Sequence, residues 1–300
     1  MKRFFLTYKV PIIVLVLFIL LGIKHIVSTP LDFDASLNMQ VALNLAQSGE
    51  YRTSYKIHPT DYALFNPVIT TGPTVIVPVA LFFKIFGIGY LSGSVAMFFY
   101  LLALFSIFYL LYRRVLKERA NAAFLFLTIV LLSTRMFLFY SLHVLGEIPS
   151  TFFFFLGIYL WGSLEDRSTA GRWVYVGAGL LMGLSIVTKL LSLLIVPPLI
   201  AVALMDIFFL HRIKPTRYLF VLAGMVIPLV AWEVIKMAGL GFHEYISYNM
   251  RFMRGVAGPD TGSGISARPG TKVGIAYLWQ NGRDHFSFLV SFLEMGRYSR

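Results

Sequence analysis

Two aspartates, Asp32 and Asp34, are the first residues of this sequence that could do acid–base chemistry. They directly follow an apolar run, 10–27, that is long enough to span most of a bilayer core. A carboxylate at such a place can cap the helix that follows, or it can remove a proton from a substrate hydroxyl as a general base. Capping requires only Asp34 and leaves Asp32 unexplained. It does not exclude that Asp34 is also a general base, so both interpretations stay open.

Two cations stand alone in apolar sequence. Arg135 lies in or at the outer end of one apolar run, and Lys189 interrupts the run 174–209 with no acid nearby in sequence. A charge at the centre of a membrane helix costs roughly 2.5–3.5 kcal/mol on insertion scales, so each cation is expected to face a cavity or an anion. The simpler alternative is that both side chains reach the lipid headgroups.

His143 and Glu147 follow Arg135 in a short connection that ends before Pro149. The simplest interpretation of His143 is a solvated residue at the membrane interface. Together, carboxylates beside embedded cations suit a substrate with an anionic head and a lipid tail, attacked by a hydroxyl that needs a general base.

The composition places these residues in a membrane protein. Of the 300 residues, 58% are hydrophobic and 13% are charged, and the mean hydropathy is +0.76. A soluble domain normally carries about 25% charged residues. The net charge of +12 comes from short basic clusters between apolar runs, which indicates membrane topology and argues against a nucleic-acid partner. The chain has no cysteine, which excludes disulfides and thiolate metal sites. We expect no cofactor, and nothing in the sequence indicates a divalent metal, although that alternative stays open.

The apolar runs predict an all-α polytopic bundle that forms a single domain over residues 1–300. Seven spans are expected, near 10–27, 91–112, 120–140, 148–164, 172–188, 190–210 and 218–238. The N-terminal Lys2, Arg3 and Lys9 favour a cytoplasmic N-terminus in an inner or plasma membrane.

The run 73–88 is short and contains Pro78 and Lys84. If it spanned, the basic loops 112–119, 164–172 and 211–217 would all lie outside, against the positive-inside rule. We therefore predict an interfacial or re-entrant segment at 73–88.

The outer loop 28–90 that results should also contain an amphipathic helix at 35–48 that lies on the membrane surface and ends at Gly49. Its apolar side carries Leu37, Val41 and Leu45, and its polar positions include Asn38, Asn44 and Gln47. The turn 140–147, Lys189 and the tail 239–300 fall on the same outer side. Within the tail, 251–270 is rich in Gly, Ser and Pro and predicts a flexible loop.

Several short motifs follow one another in a characteristic order. They are Asp34, ALNLAQSGEY (42–51), Asn66-Pro67, FFKIFG (82–87), Glu147-Ile148-Pro149 and VTKLLSLLIVPP (187–198). Their succession, over about residues 10–250, resembles the GT-C membrane glycosyltransferases, specifically the protein O-mannosyltransferase and aminoarabinose (lipid A) transferase-like group. No single motif is specific, and the order and spacing carry the resemblance.

The resemblance implies an inverting transfer of a sugar from a polyprenyl-phosphate donor to an acceptor hydroxyl on the outer face. It implies that Asp34 is the catalytic base, that Lys189 and Arg135 lie near the donor phosphate, and that Glu147 positions donor or acceptor. The remaining candidates for substrate binding are Asp32, His143 and Asn66. The partners expected are a lipid-linked sugar donor and membrane lipids, with the acceptor left open.

The sequence departs from the family pattern at three places. Ala35 follows Asp34 where relatives often have Asp-Glu, so a second carboxylate would come from Asp32 or Glu147, or the site has none. Asn66-Pro67 replaces a frequent Lys-Pro, and the chain stops at Arg300 where relatives continue. Two other classes therefore stay open, a transporter or flippase for a lipid-linked substrate and a non-catalytic polytopic membrane protein.

Overall fold

A computed structural model describes most of the chain. The described residues are 13, 16, 17, 20, 33–53, 64–65, 71–134, 137, 140–165, 171–210 and 215–257. They form helices and connections with no β-strand among them, as the predicted all-helical class requires. The predictions for Asp32, Asn66 and Arg135 lie outside the described residues. The chain divides into two compact units, residues 1–240 and 241–300, and each is described by itself.

The first unit contains eight described α-helices. They are α1 (Phe33–Ser48), α2 (Pro73–Phe86), α3 (Tyr90–Leu116), α4 (Ala120–Ser133), α5 (Glu147–Glu165), α6 (Arg172–Thr188), α7 (Val196–Met205) and α8 (Pro215–Leu240). A 3₁₀ turn, Lys117–Arg119, connects α3 to α4, and a 3₁₀-helix, Leu190–Ile195, connects α6 to α7. A short π-helical segment, Asp206–Leu210, extends α7. The second unit contributes α9 (Phe242–Ala257).

Three helical stretches among the described residues are long and apolar enough to cross a membrane. They are Tyr90–Leu131, Ser192–Leu210 and Pro215–Leu240. The first of them reverses direction at its 3₁₀ turn, since residues on either side of the turn are in contact: the Tyr109 hydroxyl donates to Asn121 Oδ1 at 3.3 Å, and the Tyr109 and Phe124 rings lie 5.3 Å apart. Large apolar side chains are exposed along these stretches, as a lipid environment allows. The chain is therefore a membrane protein by length and composition of its helices.

Helix α1 packs against α2. Val41 and Ala42 of α1 share a core with Val75, Ile76 and Val79 of α2. The sequence pattern predicted that the apolar side of α1 would lie on the membrane surface, but α2 covers it. Gly49 ends the helix as predicted, with φ +75° and its N–H on the carbonyl of Leu45.

The close crossing of α6 and α8 depends on glycine. A Cβ on Gly179 would lie 1.9 Å from the carbonyl oxygen of Val221, and a Cβ on Gly224 would lie 2.1 Å from that of Val176. The two backbones can approach this closely only because neither residue has a side chain. The crossing supports α6 along the part of the helix that leads to Thr188.

Helix α6 ends at Thr188, where the sequence predicted that the long apolar run would break. Lys189 is extended, with φ −147° and ψ 116°, and the 3₁₀-helix starts at the next residue. A break of this kind frees backbone groups that must find partners elsewhere.

Candidate functional site: the Lys189 junction

Four segments of the first unit meet beside the break at Lys189. Thr71 and Lys189 form an isolated antiparallel β-bridge, and the Gly72 N–H donates to the carbonyl of Thr188 at 2.9 Å. Asn38 of α1 joins them, since its Nδ2 donates to Thr71 Oγ1 at 3.1 Å and to the carbonyl of Val144 at 2.7 Å. We call this set of residues (Asn38, Thr71, Gly72, Val144, Thr188 and Lys189) the Lys189 junction.

Two glycines let the junction form. A Cβ on Gly72 would lie 1.9 Å from the carbonyl oxygen of Val187, and a Cβ on Gly146 would lie 2.9 Å from that of Thr188. A hydrogen bond of 2.6 Å between Thr74 Oγ1 and Thr188 Oγ1 adds a side-chain contact from the first turn of α2. The segments around Gly72 and Gly146 can thus approach the backbone beside Lys189 this closely because neither glycine has a side chain.

Lys189 forms an ion pair with Glu147. Lys189 Nζ lies 2.9 Å from Glu147 Oε1, and the two side chains are 18% and 44% exposed. Glu147 is in the first turn of α5, where the helix dipole favours a carboxylate. The sequence left both residues without a partner, and the fold supplies each to the other.

An apolar cavity of about 380 Å³ lies between α3, α4 and α5. This volume is within the usual range of small-molecule sites, about 300–1,000 Å³. Its lining residues are Leu104, Phe108, Leu127, Leu131, Phe137, Tyr140, Glu147, Ile148 and Thr151. Glu147 is the charged residue among them, and its Oε2 is buried with no hydrogen-bond partner among the described residues. The cavity thus combines apolar walls with one acidic residue.

Asp34 is an exposed residue in the first turn of α1. The sequence suggested that Asp34 caps a helix that starts at Ala35. The helix already includes Phe33, so Asp34 lies inside it and is not the cap. A carboxylate in the first turn still stabilises the helix through its dipole. Asp34 precedes Asn38 by one helical turn, about 6 Å along the axis and on the same side. It therefore lies one turn from the junction, and no described ion pair links it to Lys189.

His143 is buried, with 1% of its surface exposed, so the expectation of a solvated residue is wrong. Its neighbours Leu142, Val144 and Leu145 are buried too. The physical reason is that α1 holds the turn through the hydrogen bond from Asn38 to Val144. The sequence pattern could not show that another segment covers this turn.

Asn38 and Asn44 are buried hydrogen-bonding residues that the sequence pattern placed among the polar positions of a surface helix. Asn44 Nδ2 donates to the carbonyl of Arg52 at 2.9 Å. The only sequence signal for this buried role was the residue type itself, an amide within an amphipathic helix, and that signal is weak.

Tyr51 ties the segment after α1 to the junction. Its hydroxyl donates to the carbonyl of Thr71 at 2.8 Å, and its ring lies 5.5 Å from Phe65 and 5.2 Å from Trp232 of α8. Burial raises the pKa of Tyr51 far above its ordinary value, so the hydroxyl stays protonated and remains a donor.

The described residues contain no group of three or more acidic or histidine side chains that could hold a metal ion. Comparisons with protein-family models, with curated proteins and with solved structures find no match for this chain. The geometry of the junction and of the cavity is therefore the basis for a function.

Proposed function

We propose that this chain is an inverting membrane glycosyltransferase of the GT-C type. It moves a sugar from a polyprenyl-phosphate donor to an acceptor hydroxyl on the outer face of the inner or plasma membrane. The supporting observation is the Lys189–Glu147 ion pair, 2.9 Å long, at the edge of an apolar cavity. A phosphate-bearing lipid needs a cation for its head and apolar walls for its chain. Glu147 pairs with the Lys189 cation and also lines the apolar cavity, so both requirements are met side by side.

The topology belongs to the same proposal. The chain crosses the membrane seven times with its N-terminus in the cytoplasm, which puts α1, α2, the turn before α5 and Lys189 on one side. The contacts of the junction support this placement because they join these segments directly. The 14 residues of α2 also rise only about 21 Å, less than the ~30 Å hydrocarbon core, which supports an interfacial helix.

The reaction is a single displacement at C1 of the sugar. Asp34 takes the proton of the acceptor hydroxyl while the oxygen attacks C1 from the side opposite the phosphate. The bond between C1 and the phosphate oxygen breaks, and its electron pair stays on the phosphate. The configuration at C1 of the sugar is inverted. Lys189 stabilises the negative charge that develops on the departing phosphate.

Glu147 has two tasks in this mechanism, one for each carboxylate oxygen. Oε1 orients the Lys189 ammonium through the ion pair, and Oε2 accepts a hydrogen bond from a sugar hydroxyl. A buried oxygen without a partner costs free energy, and a bound hydroxyl would remove that cost. Asp32, Asn66 and Arg135 stay in the proposal as substrate-binding residues, while His143 is reassigned to supporting the turn.

The test is sugar transfer by membranes that contain the full chain. Membranes are incubated with a panel of radiolabelled polyprenyl-phosphate hexoses and pentoses, and label is measured in the membrane's own protein, glycan and lipid fractions. We expect Asp34→Asn to lower the rate by about 10²–10⁴-fold, the usual contribution of a general base. The matched control is Glu50→Gln, which changes a carboxylate in the same outer loop and should leave the rate unchanged.

If the Asp34→Asn variant transfers sugar at the wild-type rate, Asp34 is not the catalytic base and only stabilises the helix. That result would refute the mechanism. If the wild-type chain instead moves the labelled lipid across vesicle membranes without transferring the sugar, the transporter or flippase interpretation replaces the enzyme.

A further inference from the structure

Helix α9, Phe242–Ala257, carries an apolar stripe that is exposed. Phe242, Ile246 and Met250 follow one another at intervals of one helical turn, and they are 69%, 37% and 50% exposed. Side chains at i, i+4 and i+8 lie on one side of a helix. A continuous row of exposed apolar groups of this kind marks a surface that meets something other than water.

The opposite side of α9 is polar. His243 and Glu244 are exposed there, and Ser247 lies one turn further along. Asn249 falls on the apolar side, but its Nδ2 donates to the carbonyl of Tyr245 at 2.9 Å, so the helix itself satisfies part of the amide. An internal hydrogen bond lowers the cost of placing this side against an apolar medium.

Chain connectivity identifies that medium. Helix α8 is apolar and long enough to cross a membrane, and it ends at Leu240. Gly241, with φ +79°, is the single residue before α9. Two consecutive Cα–Cα steps reach at most about 7.6 Å, so Phe242 lies at the boundary of the membrane that α8 crosses.

We propose that α9 is an interfacial membrane helix whose stripe Phe242–Ile246–Met250 lies in the acyl–headgroup boundary of the bilayer. The sequence of α9 contains Arg251 and Arg254 against a single Glu244, so its net charge is positive. A positively charged amphipathic helix binds anionic lipid headgroups, and they are the favoured surface here. This role is independent of catalysis at the Lys189 junction.

The test uses single cysteines, which are unambiguous because the chain has none. The full chain is reconstituted in nanodiscs, one copy per disc, made of phosphatidylcholine with phosphatidylglycerol, and an environment-sensitive fluorophore is attached in turn to Ile246→Cys and Met250→Cys. The matched control is Ser247→Cys on the polar side. We expect a blue shift and quenching by nitroxide-labelled lipids at the first two positions and neither effect at the control.

Three results would overturn the proposal. Equal, water-like spectra at all three positions would mean that α9 stands in solvent. A blue shift at Ile246→Cys that lipid nitroxides do not quench would mean that protein covers the stripe. Quenching that is equal at Ser247→Cys would mean that α9 has no preferred side toward the bilayer. The fluorescence pattern requires no sugar transfer, so its outcome is separate from that of the enzyme assay.

Discussion

A methyl group at position 72 should break the Lys189 junction. In Gly72→Ala the new Cβ would lie 1.9 Å from the carbonyl oxygen of Val187 and 2.7 Å from its carbon, both of them backbone atoms. Ordinary contact begins at 3.4 Å, so α2 and the end of α6 must separate by about 1.5 Å. The 2.9 Å hydrogen bond from the Gly72 N–H to Thr188 would then be lost.

The expected cost of Gly72→Ala follows from these two effects. Overpacking a tight contact costs about 1–3 kcal/mol and an abandoned hydrogen bond about 1 kcal/mol, so the total is about 2–4 kcal/mol. For a chain of 300 residues such a loss lowers the unfolding midpoint by about 3–6 °C. It should also move the backbone of Lys189 and lower the rate of sugar transfer.

The assay is thermal unfolding of the purified full chain in detergent at a fixed heating rate, because membrane proteins often unfold irreversibly. The matched control is Gly171→Ala, where the added Cβ meets nothing within 4 Å and φ is −66°. We expect the control to unfold at the wild-type temperature. If Gly72→Ala does so too, the close approach of α2 to the end of α6 is wrong, and the junction with it.

Three further predictions concern the same unit. Lys189→Met should lower sugar transfer by about 10²–10³-fold, the usual loss when a charge-stabilising group is removed, and an unchanged rate would exclude Lys189 from the donor site. Asn38→Leu should lower the free energy of unfolding by about 1–3 kcal/mol because buried partners lose their hydrogen bonds, and the exposed control Gln47→Leu should have no effect. In intact cells, an impermeant maleimide should label Ser48→Cys and leave Val115→Cys unlabelled, and the reverse pattern would overturn the predicted topology.

The sequence predicted those features that depend on local pattern. Gly49 ends α1 because its φ of +75° suits glycine, and the chain breaks at Thr188 because a 36-residue apolar run exceeds one span. The helix at 73–86 follows the predicted apolar run, while its interfacial placement stays a prediction. Hydrophobic periodicity, the position of glycine and the bias of charged residues can all be recognised from the order of residues along the chain.

Features that depend on contact between distant segments were not readable. The positive-inside rule predicts Glu147 and Lys189 on one side of the membrane, but it carries no information on which groups form ion pairs. His143 and Asn38 were taken as interfacial because nothing local indicates that other segments bury them. Helix α9 was assigned to a loop, although the spacing of Phe242, Ile246 and Met250 contained the signal.

The β-bridge at the junction makes position 189 a fixed attachment point whose side chain can be exchanged. The backbone there is held by its own groups, through the bridge to Thr71, the N–H donated to Ser185 and the carbonyl that accepts from Ser192. None of these bonds requires the lysine side chain. A photoreactive amino acid introduced at this position should therefore leave the backbone in place and crosslink any molecule that still reaches the site without the lysine ammonium, so that the crosslinked product identifies that molecule.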